Sequence, residues 1–316
     1  MQEDVTSPKA EQALLGHRLA DMSDISLEEA LQGEQTLLRL ANPSSEELDA
    51  LAERFALDEL HLKDIRNPIH PPYFSRLENV AVHIILRFPV DPESEEEASE
   101  VSSVSILADS DMCVLIWPGA RHHQFSPRDL AGLDVDECVS KIIHILVDHL
   151  LARVYVLREE MEEFEDECLA DVGKADLNGL LQMRKELASL ARLARTNTIA
   201  IEKLRMDEVY HGNLRLIDAQ EHMQRAASIA ESRAEHALNV MQAVQSLLSQ
   251  RLNDVMKFIA VITVIMTPMG IIAGIFGMNF TNMEILSHPH GFALSIWGMV
   301  VMGLGFALYF KMRKWW

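Results

Sequence analysis

Basic residues are scarce in this sequence. Its 316 residues include 28 Lys and Arg against 48 Asp and Glu, a formal net charge of −20. Such an acidic excess excludes a protein that holds nucleic acid by its phosphates. Cysteine is scarcer still. Cys113, Cys138 and Cys168 contain no Cys-x-x-Cys pair, which excludes a disulfide framework and a Cys-rich zinc site and points to a reducing compartment. Gly (14) and Pro (11) are too few for a fibrous or low-complexity chain. The apolar fraction, 48%, excludes disorder, and the length allows two domains with real cores. A Gly-rich phosphate loop, a His-Glu-x-x-His pair and a nucleophile elbow are all missing, which argues against an enzyme.

The charge is not evenly spread. Residues 1–256 carry a net −23, with 24 basic and 47 acidic residues. Residues 257–316 carry +3, from Lys257, Lys311, Arg313 and Lys314 against Glu284 alone. Within this last part, 258–276 (FIAVITVIMTPMGIIAGIF) and 291–310 (GFALSIWGMVVMGLGFALYF) contain no charge. As helices these runs reach about 28–30 Å, the thickness of a bilayer core. Neither shows the polar face expected of a buried helix in a soluble protein, so two membrane spans are predicted. Lys257, Lys311, Arg313 and Lys314 flank the outer ends of the pair, and the loop 277–290 has no Lys or Arg. The positive-inside rule then puts both chain ends in the cytoplasm, with Trp315 and Trp316 as interfacial anchors. Small residues allow close helix contacts: Gly270, Ala273 and Gly274 in the first span, and Gly298, Gly303, Gly305 and Ala307 in the second. Pro268 is expected to loosen or kink the first span. Two helices enclose very little, so a path for a polar solute requires several subunits.

The acidic part reads as two stretches. Residues 1–135 are predicted to be mixed α/β, with strands at 36–40, 80–88, 101–107 and 112–117. A helix capped by Ser44 or Ser45 runs through Leu51 and Phe55. The segment 91–100 holds six acids in ten residues and reads as a solvated hairpin loop. Residues 136–256 are predicted to be long helices. Ile143, Leu146, Leu150, Val154, Leu157, Met161 and Phe164 form a coiled-coil-like stripe, and the helix ends in 159–171, with eight acids in thirteen residues, before Gly173. A second helix is expected from about 175 to 207. After Gly212-Asn213 no breaker stands before Pro268, so 214–276 reads as one helix of about 95 Å running into the first span. Several helices joined by unrecognised turns are the alternative.

Directly after the first span stands Phe276-Gly277-Met278-Asn279-Phe280. A very long helix, a span, Gly-Met-Asn, a short loop, a second span and a basic tail occur in that order. The chain thereby resembles the CorA family of divalent-cation channels. Arg251-Leu252-Asn253-Asp254-Val255-Met256-Lys257 is similar to that family's entrance to the first span. Met266-Thr267-Pro268 through Ile272-Ala273-Gly274-Ile275, and Leu60 to Ile65 in the soluble part, match it as well. The first thirty or so residues match nothing in the family.

The resemblance implies a fold and an activity. The fold is a funnel-shaped homopentamer: an α/β cytoplasmic domain, then a long α-helical stalk, then two C-terminal transmembrane helices, in the inner (plasma) membrane. The activity is passive permeation of hydrated divalent cations, Mg2+ foremost and Co2+ or Ni2+ besides, through a pore lined by the first span. No cofactor is implied; Mg2+, or Zn2+ or Co2+, is the transported and regulatory ion. Partners are the other subunits, lipid and divalent cations, with no nucleic acid. A Zn2+ transporter of the same fold and a non-transporting membrane-anchored scaffold are the alternatives.

Mg2+ gives up its water reluctantly, so neutral oxygens suit a pore that passes it hydrated. By resemblance, Asn279 forms an outer ring with the Gly277 and Met278 carbonyls. Asn253 is then an inner polar ring, and Met256 with Ile259 lies at a hydrophobic constriction. Spacing places Asn253, Met256, Ala260, Thr263, Thr267, Gly270 and Gly274 on one stripe, small or polar except for Met256. Two departures from the family stand out: Met283-Glu284-Ile285-Leu286 where Met-Pro-Glu-Leu is usual, and Gly270 where Thr is frequent. Glu284 supplies an outer negative charge, and His288 and His290 put imidazole at the mouth, where it suits Zn2+, Co2+ or Ni2+ better than Mg2+. The resemblance assigns Asp64 and Asp218 to a regulatory Mg2+ between neighbouring subunits, with Lys63 where Glu is common. The run 159–171 is a second candidate for gathering cations. His144 with Asp148 at i+4 could share a zinc ion, although such a pair is more often ordinary helix surface.

Overall fold

The computed structural model describes residues 14–77, 81–90, 100–119, 126–174, 176–278, 289–313 and 315. They divide into two compact units. One is Met1–Asp166 with Asp176–Asn239, and the other is Glu167–Ala175 with Val240–Trp316.

The first unit is built on seven strands: β1 (Leu14–Arg18), β2 (Asp24–Ile25), β3 (Thr36–Ala41), β4 (Tyr73–Arg76), β5 (Val82–Val90), β6 (Glu100–Ala108) and β7 (Met112–Trp117). Their order across the sheet is β2-β1-β3-β7-β6-β5-β4. Only β3 and β7 run parallel, with Leu38 opposite Val114 and Leu40 opposite Ile116. All six residues of each are buried, as a central strand covered on both faces requires. On one face, Leu38, Leu40, Val114 and Ile116 pack with Ala30 of α1 (Leu27–Gln32), Leu48, Leu51 and Phe55 of α2 (Ser45–Phe55), and Ile65 of α3 (Glu59–Ile65). Ser44 caps α2: its hydroxyl accepts from the Glu47 N–H at 3.2 Å, and its own N–H donates to the Glu47 carboxylate at 2.6 Å. β5 and β6 pair antiparallel up to Val90 opposite Glu100, and residues 91–99 between them lie outside the described ones.

Three helices follow: α4 (Val135–Ala170), α5 (Leu177–Arg205) and α6 (Leu214–Phe276). The α4 stripe from Ile143 to Met161 is buried as its spacing predicts. Within this unit α6 buries Leu216, Ala219, Met223, Ala226, Ala230, Ala234 and Ala237. Alanine at most of these steps lets neighbouring helices approach closely. Arg153 of α4 pairs with Glu186 of α5 at 2.8 Å, and Arg233 of α6 with Glu162 of α4 at 2.9 Å.

Asn197 of α5 is fully buried, and its amide meets the main chain of Arg87. Its Nδ2 donates to the Arg87 carbonyl at 2.6 Å and its Oδ1 accepts from the Arg87 N–H at 3.0 Å. β4 pairs with β5 only as far as Ile85, so Asn197 stands in for the next strand residue. Asn197→Ala leaves a peptide donor and acceptor unpaired, a cost of about 2–3 kcal/mol. Thermal unfolding of the full chain followed by circular dichroism should show a Tm lower by roughly 5 °C. An unchanged Tm would mean that water replaces the amide at no cost.

The second unit contains the last part of α6 and α7 (Gly291–Met312). Both helices are long and apolar enough to cross a membrane, yet only 6% and 11% of their most apolar windows is buried. A core helix of a soluble protein would be mostly covered, and these are not. α6 is unbroken from Leu214 to Phe276, which overturns the alternative of several helices. Pro268, where a loosened or kinked segment was expected, lies inside this continuous helix. One missing N–H removes a single rung, and the flanking rungs carry the helix on.

Candidate functional site

Two faces of α6 below Val240 differ in what they meet. Val261 is buried, and Ile265, Met269, Ile272 and Phe276 are half-buried. A Cβ on Gly303 of α7 would stand 2.3 Å from the Met269 Cε, so a glycine there allows the two helices to come close. At 100° per residue the opposite side of the helix holds Asn253, Met256, Ala260, Thr263, Thr267, Gly270 and Gly274, and all seven are exposed. The predicted stripe is therefore the face turned away from the helix pairing. The Thr263 hydroxyl donates to the Ile259 carbonyl at 2.8 Å, which leaves its lone pairs directed outward. A Cβ at Gly270 or Gly274 would meet nothing within 4 Å. Ile259 is exposed beside the stripe. No acid lies on α6 between Asp254 and its end.

At the start of this face a groove of about 730 Å³ is bordered by Gln250, Asn253, Asp254, Lys257, Ala260 and Trp315. Lys257 reaches Asp254 at 3.0 Å, one turn back. At the other end the helix stops at Gly277, whose N–H donates to the Ala273 carbonyl at 2.9 Å. A Cβ on Gly277 would approach that same oxygen to 3.1 Å, so the exit is tight. Met278 is exposed. His290 immediately precedes α7. Asn279, Glu284 and His288 lie outside the described residues, as do Lys314 and Trp316.

The predicted regulatory acids are both in the first unit. Asp64, on α3, lies 3.3 Å from His70. Asp218, near the start of α6, is hydrogen-bonded to His144 Nε2 at 2.7 Å. That hydrogen bond, together with the charges of His222 and His144, holds the Asp218 carboxyl below the usual carboxylate range. Among the described residues no hydrogen bond or ion pair joins Asp64 to Asp218. The acidic run 159–171 is not a bare carboxylate surface: Glu162 meets Arg233, Glu165 meets His236 at 2.8 Å, and Asp171 lies 3.8 Å from Arg251. His144 and Asp148, read in the sequence as an isolated pair, sit against Asp218 and His222 of α6. His222 was missed, although its i+4 spacing from Asp218 repeats that of His144 and Asp148.

Residues 36–313 match the family described as CorA-like Mg2+ transporter protein. The chain belongs to that family. It is 25% identical over 283 residues to the cobalt/magnesium transport protein CorA of Thermotoga maritima, which covers 84% of this chain and 78% of the relative. The complete structure of the CorA magnesium transporter from Methanocaldococcus jannaschii shares the fold, with a TM-score of 0.78 at 19% identity over 96% of this chain and 98% of that one. The cytoplasmic domain of ZntB from Vibrio parahaemolyticus matches 76% of this chain and 98% of its own length, with a TM-score of 0.60 at 13% identity. CorA-family proteins are membrane transporters and not enzymes, which accounts for the two apolar helices left uncovered by the chain itself.

Proposed function

We propose that this chain assembles as a homopentamer forming a passive channel for hydrated Mg2+, which also passes Co2+ or Ni2+. The exposed small and polar stripe of α6, opposite the face that meets α7, carries this reading. Five such stripes around one axis give a narrow path of hydroxyls, amides and bare backbone without a carboxylate. Neutral oxygens accept hydrogen bonds from the ion's water shell and do not strip it. Asn279, with the carbonyls of Gly277 and Met278, forms the outer ring, and Asn253 the inner one. Met256 and Ile259 form the constriction that closes by dewetting. Thr263, Thr267 and Gly270 line the path between. Residues 1–135 and 136–256 lie in the cytoplasm and 257–316 in the membrane, with both termini inside and Glu284, His288 and His290 outside. Asp64 of one subunit and Asp218 of its neighbour hold the cytoplasmic Mg2+ that favours the shut state. The membrane potential drives entry.

Zinc transport is the second reading, favoured by the imidazoles of His288 and His290 near the mouth. Purified full-length protein in liposomes separates the readings, with Mg2+ and Zn2+ influx followed side by side under an inside-negative potential. Mg2+ influx that slows when Mg2+ is placed on the cytoplasmic face is expected. Zinc influx alone would favour the second reading. No flux of either ion would leave a membrane-anchored scaffold.

A further inference from the structure

Four side chains close a ring between α4 and α6. His144 and Asp148 stand at i and i+4 on α4, and Asp218 and His222 at i and i+4 on α6. His144 Nδ1 lies 3.0 Å from Asp148 Oδ2, and His222 Nδ1 lies 2.8 Å from Asp148 Oδ1. The other nitrogens turn to the second carboxylate: His144 Nε2 is 2.7 Å from Asp218 Oδ2, and His222 Nε2 is 3.6 Å from Asp218 Oδ1. The two rings are 5.7 Å apart between centroids. Ligand atoms of His144, Asp218 and His222 all lie within 4.8 Å of one another.

A neutral imidazole has one N–H and one lone pair. In the absence of an ion the 2.7 Å contact holds a proton between His144 Nε2 and Asp218. A divalent cation that takes the place of that proton leaves the Nδ1–H of both rings to Asp148 and turns both Nε2 lone pairs and an Asp218 oxygen toward one point. Metal bonds of about 2.0–2.2 Å in a tetrahedron put neighbouring ligand atoms about 3.3–3.6 Å apart. The 2.7 Å contact therefore opens by less than about 1 Å, within the reach of side-chain rotation. One carboxylate accepting from the outer nitrogen of both metal-bound rings is the support that fixes tautomer and ring orientation at a histidine metal site.

We infer that His144 Nε2, His222 Nε2 and an Asp218 oxygen form an intramolecular site for one transition-series divalent cation, Zn2+, Co2+ or Ni2+, with Asp148 holding both rings in place. Two imidazoles and one carboxylate suit these ions, whereas Mg2+ takes oxygen ligands and keeps its waters. Water completes the coordination, since the imidazoles are 20% and 25% exposed. The bound ion pins α4 to α6 beside the residue that the proposed Mg2+ regulation also uses. Occupancy by a transition ion thus ties up Asp218.

The test is a Co2+ titration of the full-length, chelator-treated protein in detergent, read by ligand-field absorption without any transport step. The parent binds one Co2+ more per chain than His222→Gln or His144→Gln, or binds it at least tenfold more tightly. Asp148→Asn weakens binding by about 10–100-fold. His236→Gln, on the same helix but outside the ring, leaves the isotherm unchanged, and millimolar Mg2+ does not displace the ion. Identical isotherms for the parent and both glutamine variants would overturn the site and show ring-closing ion pairs alone. Displacement by equimolar Mg2+ would overturn its selectivity. Should a glutamine variant not fold, X-ray absorption of the parent carrying one Zn2+ per chain decides: two imidazoles around zinc support the site, and an all-oxygen shell rejects it. Failure here leaves the transport reading standing, because flux is not measured.

Discussion

Asn279→Ala is expected to lower Mg2+ influx into liposomes by at least about tenfold. Asn279 follows the tight exit at Gly277 by two positions in the sequence, and on the proposed reading five of its amides ring the entrance. An alanine ring offers the hydrated ion no acceptor. A loss of about 1.4 kcal/mol, shared among five amides, already gives the tenfold effect. Asn279→Asp is the informative partner. Five carboxylates hold the ion more tightly than five amides and slow its release, so influx falls while external block by Co2+ strengthens. Undiminished flux through the alanine variant would remove the outer ring from the mechanism.

The second large effect separates the two sides of α6. Gly274→Phe puts a ring into open space on the exposed stripe. Around one axis five such rings close a path about as wide as a hydrated ion, and influx should fall below a tenth of the parent value. Ile275→Phe places the same ring 100° around the helix, at a side chain already exposed. It should leave influx within about twofold. Liposome flux of the two variants, matched for reconstituted protein, gives the answer. Equal loss in both would mean that bulk anywhere on the helix disturbs assembly, and that the stripe has no special relation to the path.

Long elements were legible because their patterns repeat. The α4 stripe from Ile143, the breaks near Gly173 and Gly212, and the uninterrupted 214–276 helix could be read from spacing and breakers alone. A cap at Ser44 or Ser45 and the β-rich runs of β3 and β7 were equally plain. β1, β2 and β4 were not seen. β2 has two residues and β4 has four, too few for alternation to register, and Leu-Leu-Gly-His-Arg in β1 does not alternate. The parallel pairing of β3 with β7 joins segments more than seventy residues apart, which no local pattern encodes.

The site was legible in part for a related reason. Helical spacing grouped Asn253 through Gly274 on one face, but only the packing of Val261 and Met269 shows which face is covered. The two i,i+4 pairs of histidine and aspartate were visible one at a time, while their meeting depends on how α4 and α6 align. Asp64 and Asp218 rested on family resemblance alone, and no hydrogen bond or ion pair links them among the described residues.

The sheet ends in two very short borders, β2 with two residues and β4 with four, and the stretch of β5 beyond β4 meets the Asn197 amide at Arg87. A border that short offers another chain almost no main-chain template. In the proposed pentamer, five such sheets would therefore have little main chain to add to one another, and runaway strand addition is disfavoured.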